Sequence, residues 1–243
     1  MQVRSIRREM RLLRYYALTM TLIAGVFLVG AVAVSKKNGT FDTLTVHRID
    51  VVDREGKLAM IITDHDDFPP PVVNGKVWKR QGGSDSNGIV FYNQQGDEQG
   101  ALDWSGRIAA DGTYQSESTL SYDSVVTDQM LQVDNGNDNG KTFAFMIGWN
   151  RPNMHTPEFQ KTLEELQTYT PAQLRAFAAA HPGFGGSRRF MFGYDTDNTS
   201  QVVLDDAGGK PRIKMYVTAE GEAALQFLDD AGKVTAQYPP AKP

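Results

Sequence analysis

Five times along the chain an Asp, Asn or Thr that follows a run of apolar and β-branched residues is followed three positions later by Gly. Asp53-Arg54-Glu55-Gly56 comes after an alternating stretch that includes Ile49 and Val51, and Asn93-Gln94-Gln95-Gly96 after Ile89-Val90-Phe91-Tyr92. Asp205-Asp206-Ala207-Gly208, Thr218-Ala219-Glu220-Gly221 and Asp229-Asp230-Ala231-Gly232 repeat the device near the end of the chain. The first side chain accepts hydrogen bonds from the amides of the turn, and the Gly takes a left-handed conformation that a Cβ resists. This is a type I turn closed by a G1 bulge, and it joins antiparallel neighbours. The spacings are irregular, which predicts one antiparallel sheet system with insertions and not a solenoid.

Two interruptions break the strand and turn rhythm. Thr156-Pro157 reads as an N-cap with Pro in the first helical position, and Thr170-Pro171-Ala172-Gln173 as a capping box. Phe159, Leu163, Leu166, Leu174 and Phe177 fall on one face of the helices so begun, and His181-Pro182-Gly183 stops them. The second interruption is the loop from His65 to Asn87, with three prolines around Pro70, then Trp78 and Gly82-Gly83. Loops of that length concentrate binding residues. The two-helix insertion, about 156–183, together with Pro70 and Trp78, is therefore the expected partner-binding surface.

Before all of this lies Ala17 to Val34, ALTMTLIAGVFLVGAVAV, with no charge in it. With Tyr15, Tyr16 and Ser35 the run reaches about 30 Å as a helix, the thickness of a bilayer core. Arg4, Arg7, Arg8, Arg11 and Arg14 precede it against a single Glu9, whereas only Lys36 and Lys37 follow closely. Lys and Arg near a span are retained in the cytoplasm, so residues 1–16 are expected inside, 17–35 in the bilayer through side chains such as Leu18, Leu22, Phe27 and Leu28, and 36–243 outside. The competing reading is a signal peptide cleaved at Ala31-Val32-Ala33, which exports the same domain.

The exported part carries 20 Lys and Arg against 28 Asp and Glu, a balance that repels nucleic acid and anionic lipid surfaces. No cysteine is present, so thiol catalysis, Cys-ligated metal and a disulfide scaffold are all excluded. Asp64-His65-Asp66-Asp67 is the densest set of metal-ligand residue types, but it reads equally as a solvated turn. Asp134 to Gly140 resembles a calcium loop in part, with Met146 where the bidentate Glu belongs, and reads better as a hairpin turn. Trp78, Trp104 and Trp149 with Tyr92 and Tyr114 would make a sugar platform if they were exposed together. No nucleophile elbow or phosphate loop occurs. No catalytic residue, cofactor or metal is assigned.

The stretches RIDVVDREGKLAMIIT, NGK, GIVFYNQQGDEQGAL, GKPRIKMYV and LQFLDDAGKV resemble a family of uncharacterised bacterial proteins with an N-terminal membrane segment. The resemblance covers Phe41 to Asn150 and Val202 to Pro239, and it implies an exported β-domain and no reaction. The expectation is a mainly β chain, an antiparallel hairpin-rich sheet or sandwich with a two-helix insertion behind one membrane helix. Its expected role is that of a non-catalytic subunit in the bacterial inner membrane, bound to the bilayer and to other subunits of a membrane complex. A periplasmic glycan-binding or hydrolytic domain is the alternative.

Overall fold

The computed structural model describes residues 10, 12–26, 39–79 and 85–240. The chain divides into two units, Met1–Thr45 and Val46–Pro243. In the first, residues 12–26 form a helix, α1, on which Leu18 and Leu22 are exposed. Thr19 and Thr21, its polar side chains within the charge-free run, donate their hydroxyls back to Tyr15 O and Ala17 O at 2.8 and 2.9 Å. The rest of the expected span, Phe27 and Leu28 included, lies outside the described residues. Among the described residues no helix is long and apolar enough to cross a membrane, so the described helix does not support the expected span.

The second unit is mainly β. Its strands are β1 (Arg48–Val52), β2 (Leu58–Thr63), β3 (Val72–Val73), β4 (Lys76–Val77), β5 (Asn87–Tyr92), β6 (Glu98–Ile108), β7 (Tyr114–Tyr122) and β8 (Leu131–Asp138). They continue with β9 (Lys141–Asn150), β10 (Ser187–Tyr194), β11 (Ser200–Asp205), β12 (Pro211–Val217), β13 (Ala223–Leu228) and β14 (Val234–Tyr238). Twelve form one antiparallel sheet in the order β1-β2-β5-β6-β7-β8-β9-β10-β11-β12-β13-β14, and β3 pairs with β4 in a separate hairpin. The sheet is open, and its two edges are five-residue strands, short as exposed edges are in native sheets. Of the expected sheet or sandwich, the single sheet is what forms: each short turn returns the chain beside the strand it has just left.

The recurring turn explains that order. Gly56 N donates to Asp53 O, while Asp53 Oδ1 accepts from Glu55 N and Lys57 N at 2.9 and 2.8 Å. Asn93 and Asp229 hold their turns in the same way. The third turn is displaced by one residue from the sequence reading. Asp206, not Asp205, accepts from Gly208 N and Lys210 N, and the left-handed residue is Gly209, φ 83°. Asp205 is instead the last residue of β11. The hairpin turn expected over Asp134 to Gly140 is present but shorter than expected. Asp134 to Asp138 belong to β8, paired residue for residue with β7 and β9, and the turn is only Asn139-Gly140.

Between β9 and β10 come α2 (Pro157–Leu166) and α3 (Pro171–Ala180). Thr156 Oγ1 accepts from Phe159 N, and Thr170 with Gln173 completes the capping box, both as the sequence predicts.

Candidate interaction surface

Residues directly opposite one another in an antiparallel ladder share a face of the sheet. The register can therefore be followed from one edge to the other. Ile49 pairs with Ile62, Ile62 with Ile89, Ile89 with Leu102, and Leu102 with Leu120. Leu120 pairs with Val133, Val133 with Met146, and Met146 with Phe192. Phe192 then pairs with Val202, Val202 with Met215, Met215 with Leu225, and Leu225 with Tyr238. Every member of this twelve-strand row is apolar or aromatic. Two residues along each strand lies a second row on the same face. It reads Val51, Met60, Phe91 and Gly100, and from β7 onward Tyr122, Leu131, Gly148, Phe190, Leu204, Ile213, Phe227 and Ala236. Neither row contains a charge.

This face is open. Phe192 is 60% exposed, Met215 52% and Tyr122 50%, with Met146, Leu204 and Phe227 above 40% as well. The row one residue along, on the other face, mixes apolar and polar side chains: Asp50, Ile61, Val90, Ala101, Ser121, Gln132, Ile147, Met191, Val203, Lys214, Gln226 and Gln237. Burial is concentrated there. Ile61, Val90, Ala101, Met191, Val203 and Ala224 are buried, and so are Thr63, Ser121, Gln201 and Asp205. The partly polar face is thus the more deeply buried of the two, and the apolar one is the more exposed.

The sequence-predicted contact residues are gathered elsewhere. Phe159 stacks on Phe184 with ring centroids 4.6 Å apart, and Phe177 meets Phe184 edge-on at 5.1 Å and His181 at 4.2 Å. Leu166 and Leu174 are half-buried. Phe184, at the centre of this cluster, stands in a glycine-rich stretch that gives no sequence signal for it. Trp78 is only 6% exposed, and its indole N–H has no hydrogen-bond partner among the described residues. Trp78 and Leu163 line one cavity of about 280 Å³ with Asp128, Met154 and Gln167. The long loop and the insertion are further joined by Lys76 Nζ to Glu164 Oε1, 2.6 Å, and by Lys79 N donating to Gln167 Oε1, 3.1 Å. Pro70 is exposed. The two interruptions thus meet through polar contacts and a shared cavity, while the phenyl rings of the insertion pack on one another. Asn74-Gly75, both left-handed, form the turn of the β3–β4 hairpin in that loop; the Asn-Gly pair was the signal for it.

A group of half-buried charges sits beside this contact, Asp123 and Asp128 in the β7–β8 connection and Arg151 just after β9. Asp123 accepts from Gln129 N at 2.8 Å, and Arg151 lies over the Trp149 ring, 4.3 Å from its centroid, while donating to Gln129 O and Gly185 O. Burial, reinforced by the charge of Asp128, pushes the Asp123 carboxyl up to about 7, and burial raises Asp128 against the pull of Arg151. A carboxyl raised on folding stabilises the fold fully below its unfolded pKa, and that stabilisation is lost as pH climbs through the folded value. Asp123→Asn keeps the acceptor and cannot ionise. It should gain about 2 kcal/mol relative to wild type between pH 5 and pH 8, measured by urea unfolding at both pH values. An equal difference at the two would show that Asp123 ionises as freely as in the unfolded chain.

The remaining candidates stay apart. Asp64 Oδ1 accepts from Asp66 N and Asp67 N as an ordinary turn, and among the described residues no three His, Asp or Glu side chains are gathered as metal ligands. Of the aromatic residues considered for a sugar platform, Trp104 and Tyr114 are exposed, whereas Trp78 is buried and Trp149 donates its Nε1–H to Gln132 at 2.6 Å. A polar groove of about 740 Å³ is lined by Asp85, Ser105, Arg107, Glu117 and Asp138 among others. No protein-family model and no curated protein matches the chain.

Proposed function

We propose that the chain is a non-catalytic accessory or structural subunit held in a bacterial inner membrane by residues 17–35, N-terminus inside, with its β-domain on the outer side binding and stabilising a larger membrane assembly. The apolar sheet face carries this reading. A soluble monomer rarely leaves a contiguous apolar patch of more than a few hundred Å² exposed, and larger ones mark interaction surfaces. The address rests on the arginine asymmetry, on the charge-free run and on the back-bonded hydroxyls of Thr19 and Thr21, which need no water. The family resemblance of the strand and turn motifs points the same way. A glycan-binding or hydrolytic domain is the second reading, favoured by the polar groove that holds Glu117 and Asp138.

Two measurements test the first reading. A reporter that works only outside the cytoplasm, fused after Pro243, should be active. The tagged full chain, solubilised in mild detergent, should migrate as an assembly that Phe192→Glu breaks while leaving the thermal transition in place. An inactive reporter overturns the address, and unchanged migration of the variant overturns the role of the face.

A further inference from the structure

We propose that the polar groove at the outer end of β6 to β9 binds a neutral, hydroxyl-rich chain, a segment of glycan. This rests on the second of the two readings above and gives it a site, on the side of the sheet away from the apolar rows.

The groove exists because four strands outrun their neighbours. β5 pairs with β6 no further than Trp104, and β10 with β9 no further than Ala144, so the ends of β6 to β9 project beyond the rest of the sheet. Two cross-strand rows share one face of this projection: Ser105, Glu117, Gly136 and Phe143, then Arg107, Gln115, Asp138 and Lys141. The gap in the first row is Gly136. With no side chain there, the Phe143 ring leans across β8, and a β-carbon on Gly136 would stand 2.5 Å from Phe143 Cε1 and Cζ. The ring thus lines a cavity of about 740 Å³, a volume within the range of small-molecule sites. Its π-face carries partial negative charge and attracts the C–H groups on the flat side of a pyranose.

The polar groups around the ring decide the class of ligand. Arg107 lies diagonally across the ladder from Glu117, within reach of long side chains, yet among the described residues neither side chain makes an ion pair or a hydrogen bond. An unpaired donor and an unpaired acceptor therefore line the same space. Ser105, Gln115 and Asp138 add further groups of both kinds. Glu117 and Asp138 repel a polyanion, and a cationic peptide that met them would bring like charge against Arg107. Among the described residues Phe143 is the one apolar side chain in the lining, so the groove offers little to a lipid. A hydroxyl both donates and accepts. A neutral saccharide can therefore satisfy both kinds of group while its C–H side rests on the ring. Binding alone is assigned, with no cleavage.

The test is isothermal titration calorimetry on the full chain, in a detergent without a sugar headgroup, with neutral tetrasaccharides of glucose, galactose, mannose or N-acetylglucosamine. At least one should bind with a Kd of about 1 mM or tighter. Glu117→Ala and Arg107→Ala should each weaken that binding by about tenfold or more. Both side chains are exposed, so these variants keep their fold, which an unchanged thermal transition verifies. Phe192→Glu, on the other face, should leave the affinity as it is. If wild type and both groove variants bind alike, the groove is not the site, although the glycan reading stands. If no saccharide of the panel binds, that reading falls together with the proposal. Binding of tri-lysine in place of any saccharide also overturns it, and marks the groove as a site for cationic peptide.

Discussion

Gly193→Ala should lower the stability of the domain by about 4 kcal/mol, among the largest effects a single added carbon produces. Gly193 sits in β10 opposite Phe145 of β9, with φ 153°. A β-carbon there would be driven into the carbonyl oxygen of Ala144, with Phe145 Cα only 2.8 Å away. Both obstacles are backbone, fixed by the ladder, so neither can step aside as the end of a side chain would. The contrast with Gly56 isolates the cause. Gly56 also has a left-handed φ, 85°, but nothing lies within 4 Å of the added atom. Gly56→Val therefore bears only the conformational strain, about 1–2 kcal/mol. Thermal melting of the two variants should separate them by several degrees, at roughly 2–4 °C per kcal/mol for a domain of this size. Equal melting would mean that β9 and β10 do not approach as described.

Arg188→Ala should cost about 3 kcal/mol, for an electrostatic reason. The Asp205 side chain has no exposed surface, and it is met by Arg188 Nε at 2.6 Å and Nη2 at 3.3 Å, a two-point pairing across β10 and β11. Removing the guanidinium strands a buried carboxylate, a larger penalty than loss of the attraction alone. Arg188→Lys should recover only part of the loss, because an ammonium cannot make the forked contact. Adding Asp205→Asn to Arg188→Ala should restore stability toward wild type in urea unfolding. If Arg188→Ala falls by less than 1 kcal/mol, water reaches Asp205 and the pair is a surface one.

The turns were legible in the sequence because their chemistry is local. Asp53, Asn93 and Asp229 accept from amides two and four residues on, and Thr156 and Thr170 cap the helices they precede. The β6 strand was not, since Gly100, Asp103, Ser105 and Gly106 are poor strand formers and pairing on both sides overrides them. The displaced turn at Asp206 shows the limit of a pattern in which two aspartates are adjacent: either can start it, and only the buried pairing of Asp205 with Arg188 decides. The candidate surface was hidden for a deeper reason. Alternation shows that Ile62 and Thr63 lie on opposite faces, but both faces carry apolar residues, Ile61, Val90 and Val203 on one and Ile62, Met146 and Phe192 on the other, so hydrophobicity alone does not say which is covered. Which rows run unbroken from edge to edge depends on the register of eleven pairings, each set by its own turn and bulge.

The order of the sheet has a bearing on how the domain is made. Apart from the small β3–β4 hairpin and the helical insertion, every strand pairs with the one before it in sequence. Contacts of this kind close small loops, so the entropy lost before each pairing is slight, and sheets dominated by them fold faster than those that join distant segments. A chain that emerges N-terminus first can add strands in the order they appear, each templated by its predecessor, without waiting for its far end. The exposed apolar face grows by one residue per row at every step, and it reaches its full extent only when β14 is laid down.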